Sequence, residues 1–383
     1  MPFSPDVLIA GAGPAGSIAA LILARAGVRV TLIDRARFPR EKLCGDTVNP
    51  GAMAVLRRLG IAGVTDDGLA VNGMVVTGES GVRCEGRYTD GLAGRALSRH
   101  HLDARLLAAA AAAGATVEEQ TLVREPIVED GRVCGVRVSH ADGRLRSLQA
   151  RMVIAADGAS SRLARTLQLS RHSARPRRWA VGAYFEGVAT PLSDPAVGEM
   201  HVRSDRYIGI APLPNAVTNV CVVTSDRVAL RDPPRLLCES LRRDRILSPR
   251  FTQARQITRP VCLGPLAVEN IACGMPGLLL AGDAAGFIDP MTGDGLRFAF
   301  RGAELAASAA LMALERGDHT VHEWLARARR REFAPKWRFN RALRSLVGSA
   351  PAVGVAARAA AIFPSMIAPV VRYAGDCRVG RPA

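Results

Sequence analysis

Residues 6–16 read Asp-Val-Leu-Ile-Ala-Gly-Ala-Gly-Pro-Ala-Gly. The apolar run predicts a fully buried strand, and the three glycines after it fall at G-x-G-x-x-G spacing. An Ala- and Leu-rich stretch to about Ala26 predicts a helix, with Gly27 where a helix-ending glycine belongs. Residues 28–33 predict a second strand, closed by Asp34, 18 residues beyond Gly16. The glycine spacing alone is a weak signal. The strand before it, the helix after it and the acidic residue at the next strand end make it specific for a β-α-β dinucleotide site. Gly11 permits the tight turn, Gly13 lets a pyrophosphate approach the backbone, and Gly16 lets helix and sheet pack closely. The helix N-terminus offers free N–H groups to phosphate, and Asp34 can accept from ribose hydroxyls.

Two further strand-then-glycine runs follow. Residues 152–156 lead into Asp157-Gly158, and residues 277–281 lead into Gly282-Asp283. Sheet-like segments separate them. Residues 73–77 and 82–88 alternate, and residues 116–117, 122–128 and 133–138 predict a small antiparallel meander with turns at Asp130-Gly131 and Asp142-Gly143. Residues 180–188, 199–202, 207–212, 219–224 and 254–263 predict a second sheet. Helices are expected over residues 101–113, 233–245 and 295–315 and through the tail. The expected architecture is α/β. One Rossmann-type nucleotide-binding domain is assembled from residues 1–72, 98–170 and 268–318. An antiparallel β-sheet substrate domain (73–97 and 171–267) is inserted in it, and a helical C-terminal cap spans 319–383.

Composition narrows the partners. Hydrophobic residues make up 48% of 383, enough for a sizeable core. The formal charge of +16 is carried almost wholly by arginine, since lysine occurs only at Lys42 and Lys336. Such a balance suits an anionic cofactor or a membrane surface, and it also matches a plain compositional bias toward arginine. Nucleic acid is not expected, because four tyrosines and three tryptophans give little to stack on and no zinc-ligand spacing exists. The eight cysteines are scattered without C-x-x-C, which points to reduced thiols and a cytoplasmic setting. No signal peptide and no spanning helix is expected.

The later motifs carry a resemblance. Asp157-Gly158-Ala159-Ser160-Ser161-Arg162-Leu163-Ala164-Arg165 resembles the second fingerprint of flavoproteins with the para-hydroxybenzoate hydroxylase fold. The run from Gly282-Asp283 through Gly286, Pro290, Gly293 and Gly295 resembles the third. Leu97-Ser98-Arg99-His100-His101-Leu102-Asp103 is similar to the arginine-containing segment between them. The resemblance implies FAD. Gly286 stands where aromatic hydroxylases carry histidine, and Phe38-Pro39-Arg40-Glu41-Lys42-Leu43-Cys44-Gly45 is similar to the matching segment of geranylgeranyl reductases. One departure is Tyr207-Ile208-Gly209-Ile210-Ala211-Pro212, where those reductases carry bulky aromatics. The W-x-W-x-I-P segment of flavin-dependent halogenases is absent, the tryptophans being isolated at 179, 324 and 337.

The resemblance implies FAD contacts at Ala15, Asp34, Arg35, Cys44, Gly45, Arg99, Val123, Asp157, Asp283, Gly293, Gly295 and Leu296, beside the three motif glycines. Val123 would meet the adenine through its backbone, and Asp283 would accept from a ribityl hydroxyl. Gly293 to Leu296 would turn a helix N-terminus toward the ring. Cys44 would sit near that ring, as a proton shuttle or as a small buried hydrophobe. The expected activity is reduction of carbon–carbon double bonds in a prenyl, polyketide or other hydrophobic small molecule, with electrons from NAD(P)H or a small redox protein. The alternative is a monooxygenase hydroxylating an aromatic or polyketide. A third reading is a flavin-binding adaptor. The arginine-rich segment 324–344 suits either a packed cap or a peripheral contact with anionic lipid.

Overall fold

The computed structural model describes residues 4–377 except 79–81, 90, 173–176, 190–196, 318–319, 348, 364 and 366. The expected boundary at 318–319 therefore lies outside the described residues.

The first β-α-β unit forms as its pattern requires. Strand Val7–Ala10 lies between Val30–Ile33 and Met152–Ala155, paired in parallel with Val7 opposite both Val30 and Met152. Leu278–Leu280 and Thr116–Glu118 extend this sheet in parallel on either side, and Gly274–Met275 closes one edge antiparallel. Side chains alternate across a strand, so one sheet needs two apolar coverings. Val7, Ile9, Leu32, Ile154 and Leu279 face helices Pro14–Arg25, Arg99–Ala112 and Gly295–Arg316. Leu8, Ala10, Ile33, Val153 and Leu280 face an antiparallel meander of Thr121–Glu129, Arg132–His140 and Leu145–Gln149 through Val133, Val136 and Val138; its expected first strand, at 116–117, instead joins the parallel sheet beside Val30–Ile33.

The second sheet has eight strands. It is antiparallel except where Val197–Val202 runs parallel to Gly73–Thr77. Its outer face packs Phe185, Ile208 and Val222 on helix Pro233–Arg242 through Leu236, Leu237 and Leu241. Its inner face turns Ala180, Met200, Tyr207 and Val223 toward the dinucleotide half. The single strand expected over 254–263 is instead two short pieces, Arg255–Gln256 and Val261–Leu263. Pro260 interrupts the run, since proline has no N–H to donate to a ladder.

Helices Val321–Val347, Ala350–Ile362 and Ile367–Ala374 follow. Phe333 of the first is fully buried beneath the helix Gly295–Arg316, with the Arg297 and Arg329 guanidinium groups over its ring. Among the described residues no helix is long and apolar enough to cross a membrane.

Candidate active site

One cavity lies between the two sheets. Its floor is the dinucleotide half, with Gly13, Ala15, Arg99, Asp283, Gly293, Gly295 and Leu296 along it. Its roof is the inner face of the second sheet. Segment 42–45 runs along its side, so Lys42, Cys44 and Gly45 all reach it. Nine of the expected site residues thus share one surface. Gly11, Gly16, Asp34, Arg35, Val123 and Asp157 do not line it.

Each of these has a traceable position. Gly11 adopts φ of +98° in the tight turn. Asp34 ends its strand with one carboxylate oxygen accepting from Ala12 N at 2.7 Å and the other from Ala36 N at 2.8 Å. It therefore fixes the glycine turn itself, with one lone pair per oxygen left for a ligand. Arg35 follows it into solvent. Val123 is buried, opposite Val138 in the meander. Asp157 accepts from Arg162 N at 2.9 Å through one oxygen, while the other is buried with no protein partner. Burial raises its pKa.

The floor has the shape of a cradle. A Cβ placed on Gly45 or Gly293 would meet nothing within 4 Å, and one on Gly13 would meet only the Arg40 guanidinium at 3.5 Å. The bare backbone at these points faces open space. Lys42 stands over the same space, 3.6 Å from where a Gly158 Cβ would be. Burial and the nearby Arg99 charge push its pKa below the ordinary lysine value, with Asp283 pulling it back. Arg40 pairs with Asp103 at 3.0 Å, and Asp103 also holds Arg99 through two bonds of 2.6 and 2.8 Å. Two guanidinium groups fixed by Asp103 and a lysine thus give this part of the cavity a positive lining.

Cys44 sits where the floor meets the roof. The Arg99 guanidinium and the backbone N–H of Asp46 favour its thiolate form. Burial outweighs these donors and raises the thiol pKa, so the group is protonated at neutral pH. Behind it, Asp46 is fully buried in the left-handed region with φ of 50°. Asp46 Oδ2 accepts from the Tyr184 hydroxyl at 2.7 Å and from Asn219 Nδ2 at 2.6 Å. The same Asn219 amide donates to the Cys44 carbonyl at 2.7 Å.

The roof explains the departure noted in the sequence. Tyr207 turns its hydroxyl away to donate to Asp289 at 2.6 Å, so it closes the end of the cavity. Gly209 and Ala211, the next two inward positions, line the cavity with Gly198 and Ala180. Small residues there leave open space along this wall.

Sequence reasoning missed Arg40, Asp46, Tyr184 and Asn219. Asp46 carried a readable hint, standing two places after Cys44. Tyr184 and Asn219 carried none, because they arrive from strands 138 and 173 residues away from Asp46.

The chain matches the FAD binding domain family over residues 4–336. It belongs to that family. A menaquinone reductase of Mycobacterium tuberculosis is 34% identical to this flavoprotein over 79% of the chain and 76% of its own length. A digeranylgeranylglycerophospholipid reductase of Methanopyrus kandleri is 32% identical over 82% of each. These relatives place the flavoprotein on the geranylgeranyl reductase-like branch. A Dictyostelium discoideum protein named conditioned medium factor receptor 1 is 29% identical over 82% of the chain, which spans 64% of that protein. Among solved structures, a geranylgeranyl bacteriochlorophyll reductase-like protein of Thermoplasma acidophilum superposes with a TM-score of 0.78 at 24% identity. The match covers 97% of this chain and 91% of that one, and it speaks for the fold. A myxobacterial FAD-dependent chondrochloren halogenase gives 0.80 at 25% identity, over 88% and 82%. The flavoprotein is thus an FAD-dependent oxidoreductase with a para-hydroxybenzoate hydroxylase-like fold.

Proposed function

We propose that this oxidoreductase reduces carbon–carbon double bonds of a prenyl or other lipid-like substrate. The observation that carries the reading is the Cys44 thiol. It lines the cavity, and burial holds it in the thiol form against the pull of Arg99 and the Asp46 N–H. Its proton would be given to a substrate, with the Arg99 charge favouring the thiolate left behind. When bound and reduced, FAD supplies the hydride. Ala15, Arg99, Asp283, Gly293, Gly295 and Leu296 would hold it on the floor, with Arg40 and Lys42 at its pyrophosphate. Asp34, Arg35 and Val123 would meet its adenosine end. The Asp294 to Leu296 helix start favours negative charge at the ring. The Gly198, Gly209 and Ala211 wall would take the alkene chain. Names of relatives, a menaquinone reductase and a digeranylgeranylglycerophospholipid reductase, support this substrate class.

The test is anaerobic. The FAD-loaded protein is reduced by light and mixed with menaquinone or digeranylgeranylglycerophospholipid in detergent. The expected result is return of the oxidised absorbance together with a product carrying two more hydrogens. Silence toward both alkenes, with hydroxylated product under air, would establish the monooxygenase reading instead, which the halogenase likeness favours. Cys44→Ser is expected to slow alkene-driven reoxidation about 100-fold with FAD still bound. An unchanged rate makes Cys44 packing.

Electrons would come from NAD(P)H or a small redox protein, and anaerobic bleaching by NADPH decides between them. The tail would touch anionic lipid peripherally. Val355, Ile362 and Phe363 are exposed near arginine-rich 324–344. Flotation with phosphatidylglycerol vesicles, lost on removing residues 350–383, is the expected outcome; equal flotation of both forms would sink it.

A further inference from the structure

We propose that the Tyr88 hydroxyl, at the end of the cavity backed by the C-terminal helix, donates a hydrogen bond to a neutral carbonyl on the head of the substrate. The inference deepens the reductase reading by naming the substrate's polar group, and it rests on that reading for the alkene attached to it.

A cavity that takes a greasy molecule orients it through few polar groups. Four side chains of the roof carry oxygen or nitrogen: Tyr88, Glu199, Tyr207 and Asn219. Glu199 is held by His201 at 2.8 Å and by Arg250 at 2.6 and 2.9 Å. The Tyr207 proton goes to Asp289. The Asn219 amide gives its two protons to Asp46 Oδ2 and the Cys44 carbonyl. The Tyr88 hydroxyl bonds to no described protein group, and its oxygen is not sealed into the core. It is therefore the one uncommitted O–H or N–H of a side chain among the described residues of the roof. A phenol with its ring buried normally finds a partner for that group.

The ring is held in place. Its residue is 7% exposed, and its backbone N–H donates to the Asn72 carbonyl at 2.8 Å. Val71, Ala96, Leu213 and Val371 pack around it. Val371 belongs to the helix Ile367–Ala374, and the backbone just after that helix lies against the ring. A Cβ on Gly375 would overlap Cε1 and stand 2.9 Å from Cδ1. Gly375 is itself fixed, its carbonyl accepting from Gly51 N at 3.1 Å.

Strand register puts Tyr88 and Tyr207 at opposite ends of the cavity. Arg87, next to Tyr88, pairs with Gly73, which pairs with Val197. Tyr207 pairs with Val202, at the other end of that strand. The Gly198, Gly209 and Ala211 wall lies between them. A chain along this wall would have its closed end at Tyr207 and its polar head at Tyr88. Burial, with Cys377 and Asp294 nearby, holds the phenol above its ordinary pKa, so it keeps its proton to donate. No cation acts on it, and an anionic headgroup would find no counter-charge there. A neutral carbonyl fits.

The experiment uses the FAD-loaded, oxidised protein in detergent. The probes are a geranyl naphthoquinone and the geranyl naphthalene of the same shape without oxygen. Affinities are read by equilibrium dialysis with mass spectrometry. The wild type is expected to prefer the naphthoquinone about tenfold, and Tyr88→Phe to bind the two alike with its naphthalene affinity unchanged. Gly375→Ala, which pushes the ring aside, should lose the same preference. No preference in the wild type, or an unchanged one in Tyr88→Phe, overturns the proposal. Equal weakening of both probes in Tyr88→Phe also overturns it, because the ring is then packing alone. Light-reduced, anaerobic wild type with the naphthoquinone separates the two readings. A Tyr88-dependent preference with the geranyl chain left unsaturated sinks the reductase reading and leaves the carbonyl contact standing. A saturated chain without that preference does the reverse.

Discussion

Gly16→Ala should cost the protein its fold and its cofactor together. A Cβ at Gly16 would lie 1.8 Å from the Gly11 carbonyl oxygen and 3.4 Å from the Ala156 side chain. The obstacle is backbone in the central turn, so no rotamer change relieves it. Helix Pro14–Arg25 must move off the sheet, and residues Ala15, Ile18, Ala19 and Leu23 lose their packing. The expected cost is about 4 kcal/mol or more, read as a lower denaturation midpoint with little bound FAD. Gly13→Ala is the contrast. Its Cβ would face the cavity, with only the Arg40 guanidinium at 3.5 Å. That variant should melt like the wild type without FAD and bind FAD about tenfold more weakly, or ~1.4 kcal/mol. Wild-type stability in Gly16→Ala refutes the close approach, and wild-type affinity in Gly13→Ala refutes the cradle.

Local patterns carried most of what the sequence revealed. The Gly11 to Gly16 turn and the strands at 7–10, 30–33, 152–155 and 278–280 are short-range features with strong periodicity. The meander was readable because Asp130-Gly131 and Asp142-Gly143 punctuate it. Helix Pro50–Arg58 was not expected, although Asn49 before Pro50 is an N-cap signal. The Asn49 side chain indeed accepts from Ala52 N at 2.9 Å. What escaped was chemistry assembled across the fold. Asp46 looks ordinary in the sequence, and its meaning comes from Tyr184 and Asn219 on the second sheet. The tail was readable as basic and helical, but nothing in its composition told which of its cations turns inward.

Beside the buried Arg329, Lys336 turns inward too, and its loss should show a distinctive dependence on pH. Lys336 Nζ binds Asp294 Oδ1 at 3.1 Å and the carbonyls of Tyr373 and Ala374. Asn49 Nδ2 adds a bond to Asp294 at 3.2 Å. Asp294 begins the helix that starts at the cavity floor, so this cluster ties the tail to the site. Burial raises the Asp294 pKa, and Lys336 pulls it down. Lys336→Met leaves the carboxylate buried without its cation, at an expected cost of about 3–5 kcal/mol near neutral pH. The sign follows from proton uptake. With a folded pKa above the unfolded one, the native state binds more protons in between, so stability falls as pH rises through that interval. Removing Lys336 raises the folded pKa further and widens the interval upward. The gap between variant and wild type should therefore be largest at pH 8 and shrink toward pH 5, where a proton replaces the lysine. Adding Asp294→Asn to Lys336→Met should recover part of the stability at pH 8 and little at pH 5. A gap of equal size at both pH values would show that Lys336 contributes through its carbonyl contacts and packing alone, with Asp294 already neutral beside it.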